Sequence, residues 1–293
     1  MSVVRTTSGI DYEGFLALRE SDQRFSYDEH LTMLYALAVG MGRDPLDSRE
    51  LKYVYEGEGF VAMPTLAVVV ARSMLPRTLP IDKTLMLHGE QTLTMHRPLP
   101  TSADLLADTR ITRIVDKGEG KGALIHSETA ARLASDGAPL FTLGMTLVAR
   151  GDGGFGGPSG PASVLHELPE RAPDVVHVSE TRPDQALLYR LTGDRNPLHA
   201  DPDMARRAGF AAPILHGLAT YGIACRAMLA TVADYDPARI GGLDVRFTAP
   251  VLPGDRIETD VWLDGEVASF RCRVPERGVT VLGNGRCPLR RTG

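Results

Sequence analysis

The sequence predicts an α+β fold in which two similar halves each wrap an antiparallel sheet around a central helix. Three observations lead to this prediction: a weak internal repeat, a long apolar helix pattern in each half, and alternating strands after each helix. The chain of 293 residues is long enough for two domains of ordinary size. Its 43% hydrophobic and 24% charged residues are typical of globular proteins.

Short motifs recur in the two halves in the same order. The segment LYAL at 34–37 matches LYRL at 188–191, and RSML at 72–75 matches RAML at 226–229. These matches share an offset of about 153 residues. Several matches in register indicate an internal duplication.

A segment rich in Gly, Pro and Ser, Gly151–Ser163, lies between the halves. Its composition is typical of a linker, although a Gly-rich loop can also cradle a phosphate. No GxxxxGK[ST] motif supports the phosphate interpretation. We therefore predict a first repeat over 1–150, a linker over 151–163 and a second repeat over 164–293.

Apolar patterns predict the helices of each half. In the first half a capping box, Ser26 with Glu29, predicts a helix that begins at Ser26, and an apolar helix follows over 66–75. In the second half helices are predicted over 183–191 and 216–232. The last helix carries apolar and small residues on most of its sides, so we expect it to be buried.

Alternating apolar and polar residues predict antiparallel strands after these helices. The predicted strands cover 103–115, 123–133 and 140–149 in the first half, and 257–263, 267–274 and a last strand after Gly278 in the second. A sheet curled around one helix buries both elements economically. This arrangement is a hot dog, and the two repeats together predict a double hot dog.

Composition excludes several classes of function. The net charge is −5 with no basic run, so no nucleic-acid partner is expected. Three cysteines without a CxxC pair fit a reducing compartment. The N-terminus has no apolar signal core, and the longest apolar run, 60–71, contains Pro64 and is too short to span a bilayer. We expect a cytoplasmic protein without a membrane partner.

Polar side chains cluster where the helix over 183–191 should end. Asp194, Asn196 and His199 lie within one short loop, whereas the corresponding segment of the first half, GMGRDP at 40–45, is followed by no histidine. If the fold alone required these side chains, both copies should carry them. Their presence in one copy predicts a functional site in the second repeat.

The loop combines groups suited to general acid–base chemistry on water. A carboxylate and an imidazole can both reach one water molecule, and Pro197 stiffens the turn between them. Further along the chain, His216-Gly217 begins the predicted buried helix, where free backbone N–H groups stabilise negative charge. A calcium loop, a GxSxG elbow and a dinucleotide motif do not fit the residues. The sequence thus predicts hydration or dehydration beside an acyl carbonyl, without a metal.

Two segments carry a family resemblance: YRLTGDRNPLH at 189–199 and PILHGL at 213–218. They resemble the hydratase 2 motif of MaoC-like (3R)-specific enoyl-CoA hydratases. Further segments extend the similarity over nearly the whole chain to the hydratase domains of peroxisomal multifunctional enzymes of type 2; they include YALAVGMG, YVYEG, LHGEQ, RPLP and DKGEGKG. Since the reductase and sterol-carrier domains of those enzymes are missing here, we expect a stand-alone hydratase.

The resemblance implies the reaction and the catalytic residues. The substrate would be a trans-2-enoyl-CoA thioester and the product a (3R)-3-hydroxyacyl-CoA, formed without a cofactor. Asp194 and His199 would hold and activate the water, and Asn196 would orient it. The Gly217 N–H would polarise the thioester carbonyl.

The resemblance also implies contacts with the substrate. These contacts are His88, Gly89, Lys117 and Phe247, and Glu56 would support activity. Lys117 either pairs with a CoA phosphate or is merely solvated. The degenerate first repeat is expected to accommodate the acyl chain.

Two alternatives to the hydratase stay open. Hot-dog proteins also include acyl-CoA thioesterases, in which the same pair would direct water at the thioester carbonyl. A non-catalytic acyl-CoA binding protein is a second alternative. Because the duplication already supplies two hot dogs in one chain, pairing into a homodimer is optional.

Overall fold

A computed structural model describes residues 10–73, 75–82, 85–160 and 164–291 of the protein. The elements of the first repeat are α1 (Tyr12–Ala17), β1 (Arg19–Tyr27), α2 (Glu29–Ala38), α3 (Ser48–Leu51), α4 (Ala67–Val70), α5 (Leu75–Thr78), β2 (Met86–Met95), β3 (Ala103–Asp116), β4 (Ala123–Leu133) and β5 (Pro139–Ala149). Those of the second repeat are β6 (Val175–Glu180), α6 (Gln185–Tyr189), α7 (Pro202–Arg207), α8 (Gly217–Thr231), β7 (Asp244–Phe247), β8 (Arg256–Asp264), β9 (Val267–Val274) and β10 (Val279–Pro288). The predicted strands of both halves are therefore present.

All ten strands form one antiparallel sheet with the order β1-β3-β4-β5-β2-β7-β10-β9-β8-β6. The order of the second five strands mirrors that of the first five. The two halves of the sheet join where β2 pairs with β7, with Glu90 opposite Arg246 and Gln91 opposite Val245. This topology confirms the predicted fold, a double hot dog.

Helix α8 is the central helix of the second repeat, and its bounds agree with the predicted helix over 216–232. His216 precedes it with extended backbone, and Val232 leaves helical geometry at its end. Ten of its 15 residues are buried, because small and apolar side chains cover most of its surface. The Tyr221 hydroxyl donates a hydrogen bond to the Leu243 carbonyl oxygen at 2.7 Å, which ties the helix to the start of β7.

The predicted single helix over 66–75 is wrong. A short 3₁₀ turn over Pro64–Leu66 leads into α4, which stops after one turn because Ala71 leaves helical geometry. Three consecutive β-branched residues, 68–70, weaken the helix here. The chain becomes helical again in α5, and Met74 of the repeated motif lies outside the described residues.

Two helix starts also differ from prediction. Ser26 belongs to β1, where its hydroxyl donates to the Asp104 carboxylate at 2.6 Å instead of capping a helix. Helix α2 begins later, and its N-cap is Asp28, which accepts from the Leu31 N–H at 2.9 Å. The predicted helix over 183–191 is shorter as α6, because the chain tightens into a 3₁₀ turn over Arg190–Thr192.

The described part of the predicted linker, residues 151–160, is irregular. Its backbone N–H groups at Gly154 and Gly156 donate to the Asp116 carboxylate at 2.7 and 2.9 Å. A carboxylate of the protein itself therefore occupies the donors that a phosphate would need. Residues 161–163 of the linker, like 1–9 and 292–293 of the predicted repeats, lie outside the described residues.

The two repeats share one hydrophobic core and are also joined by polar contacts. The Gln185 amide donates to the Ala38 carbonyl oxygen at 2.5 Å. Arg226 of α8 forms an ion pair with Glu50 at 2.6 Å, and the two side chains are 14% and 3% exposed. No helix in the described part of the chain is both long and apolar enough to cross a membrane.

Gly222 of α8 packs closely against the first repeat. A Cβ at this position would lie 2.5 Å from Val39 Cγ1 and 2.7 Å from the Tyr35 hydroxyl. We predict that Gly222→Ala lowers the free energy of unfolding by about 1–3 kcal/mol through overpacking. In an open helix the same change would instead stabilise by about 1 kcal/mol.

Urea unfolding measures this effect, and Val39→Ala supplies the control. The double variant Gly222→Ala/Val39→Ala should be more stable than the sum of the two single changes, because the smaller side chain leaves room for the new methyl group. Strictly additive effects would contradict the proposed contact.

Candidate active site

The loop after α6 presents Asp194 and His199 on one side. Gly193 has φ of 130°, a backbone conformation that favours glycine, and it reverses the chain directly before Asp194. The Asn196 side-chain oxygen then accepts from the Leu198 N–H at 3.1 Å and caps a 3₁₀ turn over Pro197–His199. The local sequence thus fixes the spacing between the carboxylate and the imidazole.

His199 and His216 stack face to face in the interior. Their ring centroids lie 3.7 Å apart with an interplanar angle of 26°. His199 Nδ1 lies 2.8 Å from the Ile214 carbonyl oxygen, and His216 Nε2 lies 3.0 Å from the Asp194 carbonyl oxygen. Because a carbonyl oxygen only accepts, both ring nitrogens must donate. His199 therefore presents an unprotonated Nε2, which can accept a proton.

The Asp194 carboxylate closes the cluster. One carboxylate oxygen of Asp194 and one ring nitrogen from each of His199 and His216 lie within 4.8 Å of one another. Arg72, from the first repeat, lies with Nη2 3.0 Å from Asp194 Oδ2. The Tyr189 ring packs on His216 at 4.9 Å, and its buried hydroxyl has no hydrogen-bond partner within the described chain.

The surroundings set the protonation states of these groups. Burial lowers the pKa of His199, and it lowers that of His216 to about 4. Burial pushes the pKa of Asp194 upward, but the charge of Arg72, the Asn196 N–H and, in acid, the two protonated imidazoles outweigh it, so the pKa of Asp194 falls below its usual range. At neutral pH the site therefore combines an ionised carboxylate with a neutral imidazole.

Three further predicted residues adjoin this cluster. Gly217 begins α8, so its backbone N–H has no acceptor within the helix. The Phe247 ring lies 3.2 Å from the position of a Gly217 Cβ, and it packs on the His88 ring at 4.8 Å. Burial lowers the pKa of His88 to about 4. The nearby Arg72 also lowers this pKa, whereas Asp194 raises it. A substrate oxygen at the Gly217 N–H would thus lie beside Phe247.

Gly89 has a structural reason to be glycine. The pairing of β2 with β5 shifts register between His88 and Glu90, as in a β-bulge. A Cβ on Gly89 would lie 2.8 Å from Val148 Cγ2 and 3.3 Å from the Thr146 carbonyl oxygen. Gly89 therefore permits the bulge beside His88.

The structure does not bring Lys117 or Glu56 into the cluster. Lys117 is exposed directly after β3, in the turn closed by its N–H to the Gly122 carbonyl oxygen. The pairings of β3, β4, β5 and β2 place it about three strand spacings, roughly 14 Å, from the start of β2. Glu56 is exposed in the loop after α3.

The cluster of Asp194, His199 and His216 has a spacing that could hold a metal ion. The charge beside the donor set opposes this. The guanidinium of Arg72 lies against the carboxylate and would repel a cation. The hydrogen bonds of the two imidazoles to backbone carbonyls are compatible with either occupant, since each ring still presents its other nitrogen. The donor set fits water better than a metal ion.

The sequence did not assign Arg72 or Tyr189 to the site, and it gave His216 only as the residue that precedes the oxyanion donor Gly217. Tyr189 and His216 were visible as members of the two motifs. The only sequence signal for Arg72 was its match with Arg226 in the repeat, and that match did not indicate a chemical role.

A cavity of about 620 Å³ lies elsewhere, beside residues 164–167 at the start of the predicted second repeat. It opens on the outer face of the sheet, since Glu90 and Thr92 line it and alternate with the buried Gln91 and Leu93. None of the predicted site residues lines this cavity. The cluster around Asp194, on the helix side of the sheet, is therefore the candidate active site.

Comparison with known proteins agrees with this assignment. The MaoC like domain matches residues 165–284, and the MFE-2 hydratase 2 N-terminal domain matches residues 25–151. The chain is 38% identical over 285 residues to enoyl-CoA hydratase 2, peroxisomal, from Arabidopsis thaliana, which covers 91% of this chain and 92% of that protein. It is 40% identical to enoyl-CoA hydratase ChsH3 from Mycobacterium tuberculosis, over 94% of this chain and 97% of the relative.

A solved structure extends the likeness to three dimensions. The MaoC-like dehydratase from Phytophthora capsici superposes with a TM-score of 0.85 at 30% identity, covering 97% of this chain and all of the other. Sequence and fold therefore agree over almost the full length of the protein. The chain belongs to the MaoC-like enoyl-CoA hydratase 2 family.

Proposed function

We propose that this protein catalyses the reversible hydration of trans-2-enoyl-CoA to (3R)-3-hydroxyacyl-CoA. The observation that carries the proposal is the cluster in which an ionised Asp194 and a neutral, buried His199 share one space in a chain of the hydratase 2 family. Both side chains can accept a hydrogen bond from the same water molecule. The family supplies the substrate class, and the geometry supplies the means of activating water.

The protonation states define the chemical step. Water, held by the Asp194 carboxylate and His199 Nε2, forms a bond from its oxygen to carbon 3 of the enoyl group. One of the two side chains takes the proton that the water loses, and the pair returns it to carbon 2. Water thus supplies both the hydroxyl group and the hydrogen, and both side chains return to their starting states.

The negative charge that develops on the thioester oxygen needs a donor. The Gly217 N–H is suited to this role, because it lies at the N-terminus of a 15-residue helix and has no acceptor within that helix. The absent side chain lets an oxygen approach the N–H closely. Phe247 would then border the acyl group.

The remaining predicted residues keep proposed roles. Asn196 would orient the water through the part of its amide that does not cap the turn at Leu198. His88 and Gly89 would shape the wall beside Phe247. Lys117 would contact a CoA phosphate at the sheet edge, and Glu56 would support activity from the loop after α3.

The alternatives are less favoured. The relatives are named enoyl-CoA hydratase, and none of those compared above is named as a thioesterase or as a non-catalytic binding protein. A thioesterase would release free CoA thiol, whereas hydration leaves the thioester intact. The two reactions therefore differ in a directly measurable product.

The first repeat is proposed to accommodate the acyl chain. Its counterpart of α8 is divided into α4 and α5, which are four residues each, while α8 has 15. A shorter helix would leave room inside the first half of the sheet. We propose that a long or bulky acyl chain occupies that room.

Other properties are proposed from the sequence alone. No cofactor is expected, so prolonged dialysis against a chelator should leave the rate unchanged. A homodimer is optional, and light scattering distinguishes it from a monomer. A cytoplasmic location is expected from the sequence, and cell fractionation checks it.

We predict that the purified protein consumes the conjugated absorbance of trans-2-enoyl-CoA and forms the 3R product without releasing thiol. Asp194→Asn and His199→Ala should each lower kcat/KM by about 10²–10⁴-fold, because each removes a group that handles the proton. Asp201→Ser is the matched control, since Asp201 only caps α7 and serine also caps. Thiol release would assign the protein to the thioesterases, and full activity of both catalytic variants would exclude this site.

We also predict that kcat/KM holds or rises from short to long enoyl-CoA substrates. The added methylene groups would be buried in the first repeat, each contributing up to about 0.8 kcal/mol. A series of enoyl-CoA substrates of about 4, 8, 12 and 16 carbons measures this trend. Activity restricted to the shortest substrate would contradict the proposed role of the first repeat.

A further inference from the structure

Two arginines at equivalent positions of the repeats each reach into the opposite repeat. Arg72 and Arg226 begin the matching segments RSML and RAML. Arg226, from α8 of the second repeat, pairs with Glu50 of the first at 2.6 Å. Arg72, from the first repeat, pairs with Asp194 of the second at 3.0 Å. These two arginines therefore form an ion pair in each direction between the repeats.

The two bridges differ in what surrounds the acid. Glu50 is 3% exposed, and its second carboxylate oxygen accepts from the Gly42 N–H at 2.9 Å. Asp194 is 23% exposed, and its second oxygen has only a long contact of 3.3 Å with the Asn196 N–H. The bridge of Glu50 is closed, whereas that of Asp194 keeps a carboxylate oxygen available to a small molecule.

We propose that Arg72 is a positioning residue for the reaction: the first repeat supplies the guanidinium that orients the Asp194 carboxylate and keeps it ionised. This inference rests on the hydratase activity proposed above. Arg72 acts through Asp194 and does not itself transfer the proton. The degenerate repeat thus contributes to the active site with a charge as well as with space.

The other groups that face Asp194 cannot replace this charge. They are His199, His216, His88 and Tyr189. Burial lowers the pKa of the three histidines and raises that of the Tyr189 phenol, so all four are neutral near pH 7. A guanidinium stays charged at every pH at which the protein is folded. Among these five neighbours, Arg72 is therefore the cation near neutral pH.

The test is the pH profile of kcat/KM for enoyl-CoA hydration. In Arg72→Gln the acid limb should move upward by about one pH unit, because the guanidinium lowers the pKa of both Asp194 and His199, an adjacent arginine lowers a carboxyl pKa by about 1–3 units, and this bridge is partly exposed. The rate near neutral pH should fall about tenfold as the carboxylate loses its orientation. Arg72→Lys should restore the acid limb but not the full rate, since an ammonium keeps the charge without the planar geometry.

Arg195→Gln is the matched control. Arg195 is the exposed neighbour of Asp194 in sequence, so this variant removes the same charge nearby without breaking the bridge. Its pH profile should match that of the unaltered protein. An Arg72→Gln profile that also matches, or one lowered equally at all pH values without a shift, overturns the proposal; thermal unfolding confirms that each variant is folded.

A second measurement separates this inference from the proposed function. If the unaltered protein fails to hydrate enoyl-CoA, the proposed function is wrong. The bridge is then tested by ¹³C NMR of the protein labelled at aspartate carboxyl carbons, with Asp194→Asn used to assign the resonance. A titration midpoint of Asp194 that rises in Arg72→Gln supports the positioning role, and an unchanged midpoint overturns it.

Discussion

The burial of α8 in the core shared by the two repeats is the interaction on which the remaining structure depends. The helix places ten buried residues in a core shared by both repeats. Each large apolar side chain that is fully buried there contributes about 1.5–3 kcal/mol. The same helix fixes the chemistry, because its first residue is Gly217 and its N-cap is His216. Stability and the position of the proposed oxyanion donor therefore come from one element.

The sequence predicted the parts of the fold whose signal is local. The strands β3, β4, β5, β8 and β9 alternate clearly, and α8 is apolar on most sides, so their bounds agreed within about two residues. Strand β1 escaped prediction because it is a mostly exposed edge strand with polar residues on both faces. Strand β2 escaped because the bulge at Gly89 interrupts its alternation.

The active-site loop was predictable because its residues are close in sequence. Asp194, Asn196 and His199 needed only one turn to come together, and the first repeat served as an internal comparison. Arg72 could not be predicted, since an ion pair between distant segments leaves no periodic pattern. The stack of His199 on His216 depended likewise on how the loop returns to α8.

Two buried histidines of the site make the folded protein less stable in acid. His88 and His216 are held neutral with pKa values of about 4, well below the value of about 6.5 expected in an unfolded chain. Between these values the unfolded chain binds more protons than the folded one, so the free energy of unfolding falls as pH falls through this window. Unfolding in this window therefore takes up protons, and these protons bind to the two histidines, which belong to the proposed active site in the folded protein. The proposed catalytic interior, together with His177 outside it, whose pKa burial also lowers to about 4, thus makes the fold less stable in mild acid.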